Sequence, residues 1–375
     1  MRICLLILLL ALPLQAVIQH STSTLTADKP LTISTVAGNG VEGVSGDGGP
    51  ALNATFSRPT QVAVDRRGNL YIADYGNSRI RKVDRNGVIN AFAGIGVAGF
   101  AGDGGQAVQA KINFPHAITV SDNGTLYFCD TKNHRVRKIT SAGIITTIAG
   151  NGQAGFTGDG ESAVRASLNQ PEGIAVDARG NVFVADFNNH AIRKVSPEGT
   201  ITTVAGNGKP GFSADGVLAV KASLNITPAV TVDSSGNLYL CDRENHRVRK
   251  VDRHGILTTV AGNGTEATSG ASGDGGPATS ASLNRPVGLA IDWQGNLYIA
   301  ERNTHRIRKV TPAGTITTIA GTGVAGFNGE GGAATEVQLN TPRRLTINPT
   351  GDGLYIADTD NHRIRRIALK EAVSR

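Results

Sequence analysis

Three sets of residues in this chain are of types that do chemistry. One is an Asp-x-x-Asn-His-Arg corner that recurs along the sequence. It holds five of the eight histidines, His134, His190, His246, His305 and His362, with Ser78 in the first copy. A second is a position that changes from copy to copy, reading Thr60, His116, Glu172, Pro228, Val287 and Arg343, with Arg344 beside the last. The third is a single acid per glycine-rich loop: Asp47, Asp103, Asp159, Asp215, Asp274 and Glu330. Histidine near aspartate raises metal ligation, but a metal needs donors converging at about 2 Å. Corners dispersed along a repeating chain do not converge. The corner acids Asp74, Asp130, Asp186, Asp242, Glu301 and Asp358 are therefore expected to be structural, each pairing with a following arginine. The Asn and His are expected to bond their own turn. Calcium would want several oxygen ligands from one loop, and each loop offers one. The loop acids are expected to form a turn or cap for the Ala-x-x-Ala-x-Leu-Asn stretch that follows, with loop or channel calcium as the minor alternative and no resident cofactor. No Gly-Lys-Ser/Thr follows the glycines, so they do not form a phosphate loop.

A repeat positions these residues. The six corner acids are 56, 56, 56, 59 and 57 residues apart in the 375-residue chain. Around them runs Gly-Asn-Leu-Tyr-Ile-Ala-Asp-x-x-Asn-His-Arg-Ile-Arg-Lys-Val with small variations, and a period of this length signals a solenoid, propeller or array. Each unit divides into four short runs: a (Val62–Val64), b (Leu70–Ala73), c (Arg79–Val83) and d (Val88–Ala93) in the first. Turns such as Asp65-Arg66-Arg67-Gly68 and Asp84-Arg85-Asn86-Gly87 separate them. There are 48 glycines, nearly twice the usual ~7%, and they supply the positive φ that tight hairpins need. Four antiparallel strands with both faces apolar describe a propeller blade. The chain opens on a d-type run, Thr35-Val36-Ala37-Gly38, and closes on an a-b-c set. An N-terminal strand, Leu31 to Gly38, that completes the last blade would seal a six-bladed ring and hide both edges.

The Leu-Tyr-Ile-Ala-Asp-x-x-Asn-His-Arg-Ile-Arg-Lys-Val element resembles the NHL repeat, with Arg where that family's name has Leu. With the loop Gly46-Asp47-Gly48-Gly49-Pro50-Ala51, it is similar to the NHL propeller of teneurins and of secreted bacterial proteins. The resemblance covers about residues 31 to 368 and implies an all-β, six-bladed propeller of four-stranded blades. Such propellers host binding, scaffolding and a few enzyme activities.

On such a ring, function enters where the symmetry breaks. The Thr60/His116/Glu172/Pro228/Val287/Arg343 position opens strand a at the channel mouth, on the face of the d–a loops and b–c turns. A His116–Glu172 pair is expected there, with Arg343 and Arg344 opposite. The residue after the strand-b acid varies too, reading Tyr75, Thr131, Phe187, Arg243, Arg302 and Thr359. His116, Glu172, Arg343, Arg344, Arg243 and Arg302 are thus the candidate ligand-binding residues. Thr60 suggests that Thr in place of His116, Glu172 and Arg343 leaves folding intact. Phe100, Phe156, Phe212 and Phe327 are expected to pack the loops onto the blades.

The net charge is +7, from 37 basic and 30 acidic residues, with 5% aromatics. Seventeen of the basic residues belong to the six strand-c motifs and are dealt around the ring, and stacking platforms are few. Both features argue against nucleic acid as a partner. Cys129 and Cys241 lie in matching Leu-Tyr-Phe-Cys-Asp and Leu-Tyr-Leu-Cys-Asp contexts, two blades apart, and read as buried thiols rather than a disulfide. Met1-Arg2, the apolar run Ile3 to Leu12 and Leu14-Gln15-Ala16 read as a signal peptide over 1–16. That run is too short for a membrane span of about 20 residues, and a simple N-terminal anchor is the weaker alternative. A linker (17–30), one propeller (31–368) and a tail (369–375) complete the organisation. The expected function is a secreted or periplasmic, monomeric, non-catalytic binding or scaffold module for a protein, peptide or glycan. The alternative is a metal-dependent, channel-centred enzyme of the gluconolactonase or lyase type.

Overall fold

The computed structural model describes residues 30–267 and 272–369. The expected signal segment 1–16, all but Pro30 of the linker and the tail after Leu369 lie outside the described residues. Six antiparallel sheets form the blades of a propeller. Blade 2 shows the pattern: strand a is Pro115–Val120, b is Leu126–Asp130, c is Arg135–Ile139 and d is Ile145–Ala149. Strand a begins three residues earlier than alternation suggests, in blade 1 at Pro59. Pro59 pairs with Asp74 across a register shift, an irregularity that a proline without an N–H tolerates.

The blades are held by what lies between them. Buried aliphatic residues divide into six clusters, each shared by two neighbouring blades; Ala63, Tyr71 and Ile80 of blade 1, for example, meet Ile118, Leu126 and Phe128 of blade 2. The alternating side chains of each strand send one set to each neighbour, so no blade has a core of its own.

Ring closure follows the expected scheme. Thr32–Ala37 is strand d of blade 6 and pairs with Arg363–Ala368, Ile33 opposite Ile367 and Ala37 opposite Ile364. The outer edge of that strand is covered in turn by Gly331–Ala333. The other five blades use the same device in abbreviated form: the loop entering each blade crosses its own d strand, as where the Gly104 N–H donates to the Ile145 carbonyl and Ala107 to Gly143. Each loop then makes one 3-10 turn, such as Ala107–Gln109. Every outermost strand is thus covered, which removes the unpaired edges that template aggregation. Cys129 and Cys241 are buried free thiols, and burial pushes both thiol pKa values well up.

Candidate functional site

The repeated acids and arginines build a lattice beneath the loops. In blade 2 the Arg137 guanidinium is fully buried between Asp130, at 3.3 Å, and the loop acid Asp103, at 2.7 Å. It also donates to the carbonyls of Lys111 and Ala101. The same Asp–Arg–Asp arrangement recurs at Arg81, Arg193 and Arg249. Arg308 joins Asp274 to Glu301, whose longer side chain reaches Thr304 where the other five corners have Asn. The loop acids therefore pair with strand-c arginines instead of capping the 3-10 turns, which have no side-chain cap. A carboxylate already bound to a guanidinium is poorly placed to hold calcium. Burial pushes the Asp130 carboxyl up to about 6, although Asn133, the Asn113 N–H and Arg137 all favour its ionised form. The loop phenylalanines lie over the arginines as packing predicts, Phe100 with its ring centre 3.9 Å from the Arg135 guanidinium and 4.9 Å from that of Arg137.

The corner histidines do something other than brace their own turns. Each takes left-handed backbone, φ 52° at His190, and most reach across to the next blade. His190 Nδ1 accepts from the Ile226 N–H at 2.9 Å, and His134, His305 and His362 do the same for Gln170, Thr341 and Arg58. This latch needs a neutral ring with a free Nδ1 lone pair. Burial holds the His190 pKa below its usual value, so its stabilisation is full above the unfolded value near 6.5. It is lost as pH falls from there through the lower folded value. Replacing His190 with Asn, which tolerates left-handed backbone, should cost about 1 kcal/mol at neutral pH. In urea unfolding the gap between parent and variant should close on acidification, and a gap indifferent to pH would remove the latch from the explanation.

All six candidate residues meet at the channel mouth. His116, Glu172, Arg243, Arg302, Arg343 and Arg344 line one small cavity with Pro228 and Val287. Arg343 Nη1 lies 2.8 Å from His116 Nε2, and a neutral ring can accept a hydrogen bond at only one of its two nitrogens. Arg344 is 4% exposed and spans the channel from blade 6. Its Nη2 donates to the Glu172 carbonyl at 2.6 Å and lies 3.2 Å from His116 Nδ1, while Nη1 reaches the Val287 carbonyl at 3.2 Å. The Glu172 carboxylate is 3.6 Å from His116 Nε2 and 3.9 Å from Arg344. Places equivalent to Arg344 hold Gly173 and Gly288, where even a Cβ would strike the neighbouring inner strand. Arg344 is thus a plug. Thr at 116, 172 and 343 would keep the bonds of Arg344 to the backbone carbonyls of residues 172 and 287 but remove the imidazole and the carboxylate beside it.

The electrostatics of the mouth are one-sided. Burial, then Arg344 and Arg343, holds the His116 pKa well below its usual value. Burial and Arg302 push Arg343 down to about 10, and burial raises Glu172 despite Arg344 and Arg343. Arg58, Lys132, Arg243, Arg302, Arg343 and Arg344 interact around Glu172 and Asp360. Arg58 pairs with Asp360 and Arg243 with Glu244. With Arg285, which also pairs with Glu244, seven cations thus share three carboxylates, a concentration that even dealing of basic residues around the ring does not lead one to expect. Of the metal-ligating side chain types, His116 and Glu172 converge at this mouth, and among the described residues no group of three His, Cys, Asp or Glu side chains forms. Nor is His116 a free base, since a guanidinium faces each of its ring nitrogens.

The opposite mouth differs. Gln61, Ile118, Thr119, Thr346 and Thr350 with neighbouring aliphatics line a cavity of about 530 Å³, edged by the Arg66–Asp122 ion pair. The short a–b hairpins of that face gave no sign of it in the sequence.

Comparison with known proteins agrees with this architecture. The profile of the SMP-30/Gluconolactonase/LRE-like region matches residues 51–207, that of the Teneurin NHL domain 260–325, and the NHL repeat 229–251 and 339–367. The chain is 28% identical to chicken (Gallus gallus) Teneurin-1 over 92% of its own length and 14% of the relative's. With NHL repeat-containing protein 2 of Bos taurus it shares 29% over 83% of this chain and 46% of that one. It therefore spans a minor part of the relatives it matches. An auxiliary nutrient binding protein from Bacteroides thetaiotaomicron superposes with a TM-score of 0.65 at 16% identity, over 90% of this chain and 76% of the other, a likeness of fold. Six copies of the corner motif, the matching profiles and the closed ring make this chain a six-bladed β-propeller similar to those built from NHL repeats.

Proposed function

We propose that this chain is an exported, non-catalytic binding module that receives a protein, peptide or glycan on the face of its d–a loops and b–c turns. It works as a monomer and without a resident cofactor. The observation that carries this reading is the break of six-fold symmetry at one channel mouth, set on a lattice of buried ion pairs that holds the loops still. Binding residues concentrate on loops carried by a rigid scaffold. A blocked channel whose imidazole is flanked by two guanidinium groups suits recognition better than turnover. The covered strand edges suit a monomer, and the residues Met1 to Ala16 suit export. The binding role of a nutrient-binding propeller of like fold points the same way.

Two other readings have a specific observation each. The profile match over 51–207 favours a lactonase-type enzyme, which the arginine-crowded mouth opposes. The 530 Å³ cavity at the far mouth has the size of a small-molecule pocket. An array of peptides and glycans probed with the purified chain, followed by hydrogen-exchange mapping of a positive binder, separates these. Protection is expected in the d–a loops and b–c turns around the Arg344 plug. Protection confined to the a–b hairpins would move the site to the other mouth, and absence of any binder on the array would count against a recognition role.

A further inference from the structure

Three arginines of the channel mouth stand on consecutive blades, Arg243 on blade 4, Arg302 on blade 5 and Arg343 on blade 6. The places equivalent to Arg243 and Arg302 hold Tyr75, Thr131, Phe187 and Thr359 in the other four blades. The mouth is therefore divided into a basic sector and a sector that includes two aromatics. The folded chain leaves the basic sector under-neutralised. Arg302 makes no hydrogen bond or ion pair with any described residue, and Arg343 has a neutral imidazole nitrogen as its hydrogen-bond partner. Its Nε is buried without a partner. Glu172 is the one carboxylate inside the cluster and lies nearer Arg344 and His116. Below these side chains the cavity has shrunk to about 10 Å³, about the space of a single water, so an incoming group is met at the mouth and not inside the channel.

Resting on the binding role proposed above, we infer that the basic sector receives an oxyanion, a carboxylate or a phosphate carried by the ligand, held by Arg302 and Arg343 with Arg243 at its flank. Guanidinium forks match the planar oxygens of such groups and give bonds about twice as strong as neutral ones. A site with unspent donors needs no rearrangement to accept them. Tyr75, which packs edge-on to His116 at 5.5 Å, places an apolar surface beside the anion site, so the group received belongs to a molecule with an apolar body.

The test is calorimetric titration of the full chain with glutarate and, separately, inorganic phosphate, at low salt. Saturable binding of one or both is expected, and which one binds distinguishes a carboxylate from a phosphate source. Arg302→Gln should weaken binding at least tenfold with an unchanged Tm, since Arg302 supports nothing in the fold. Arg179→Gln, on an a–b hairpin of the other face, should leave it unchanged. Raising the salt should weaken the parent's binding steeply, because mouth charges are screened. Saturable binding that survives Arg302→Gln, an equal loss in Arg179→Gln, or no saturable binding of either probe would each overturn the oxyanion site. In the last case a binder found on the array would leave the binding role standing without it.

Discussion

A chain that begins at Asn39 is expected to lose its folded monomer. The missing segment supplies the fourth strand of blade 6, and with it both partners of the strand: Arg363–Ala368 on one side and Gly331–Ala333 on the other. Its two buried inward residues serve different cores. Ile33 packs in the cluster between blades 5 and 6, and Ala37 in the cluster between blades 6 and 1. Truncation therefore exposes the edge of the six-residue strand Arg363–Ala368, strips the partner from the three-residue strand Gly331–Ala333 and opens two of six interblade cores. Because no blade has a private core, the damage spreads around the ring. Size-exclusion chromatography and thermal unfolding should show aggregation and a broad transition at much lower temperature. A peptide spanning Leu31 to Gly38, added in trans, should restore part of the loss. A truncated chain that stays monomeric with an unchanged Tm would contradict closure by this strand.

The second large effect belongs to the lattice. Arg137→Met keeps the volume and chain of the side chain but leaves Asp130 buried with no cation. Removing one partner of a buried pair costs about 3–5 kcal/mol, because the remaining charge is left uncompensated. The sign with pH follows from Asp130, already raised to about 6 by burial and raised further in the variant. A carboxyl whose folded pKa lies above its unfolded value burdens the fold above that folded value and relieves it below. The deficit of Arg137→Met should therefore be greatest at neutral pH and shrink as pH falls. Blade 6 provides the comparison. There Arg365 meets Asp358 at 3.6 Å, while Glu330 stands where other loops have Asp and pairs with Arg363 instead. Arg365→Met should cost less than Arg137→Met. Equal costs, or a deficit that grows on acidification, would mean that the arginines act by packing alone.

The ring was legible because six copies average out the noise of any one. The period gave the blade count, and the displaced d strand at the N-terminus gave the closure. What the repeat could not disclose was which copies of its polar residues touch. Asp103 and Arg137 are 34 residues apart, a separation that no local rule connects, and the loop acid looked like a helix cap until the crossing of the d strand placed it over strand c. The histidine latch joins neighbouring repeats, so a reading of one repeat at a time assigned His190 to its own turn. The candidate site fared differently. Breaks in symmetry pointed to six residues that lie together at the mouth. Their mutual dependence was hidden, because Arg243 and Arg302 follow the strand-b acid while Arg343 and Arg344 open strand a. These two rows meet only where the ring narrows. Arg344 carried the clearest signal of a plug, a long cation where the other copies have Gly173, Gly288, Ala117, Ala229 and Gln61.

Whether the asymmetric mouth is the binding site is decided most directly by reversing one charge there. Arg302→Glu should fold with the parent's Tm, since Arg302 has no bonded partner among the described residues. On the peptide and glycan array the parent should favour members that carry an acidic group. The variant should lose those binders at least tenfold, about 1.4 kcal/mol, while Arg179→Glu on the opposite face keeps them. An array profile that Arg302→Glu leaves unchanged would show that the mouth, for all its departure from symmetry, is not where this propeller binds.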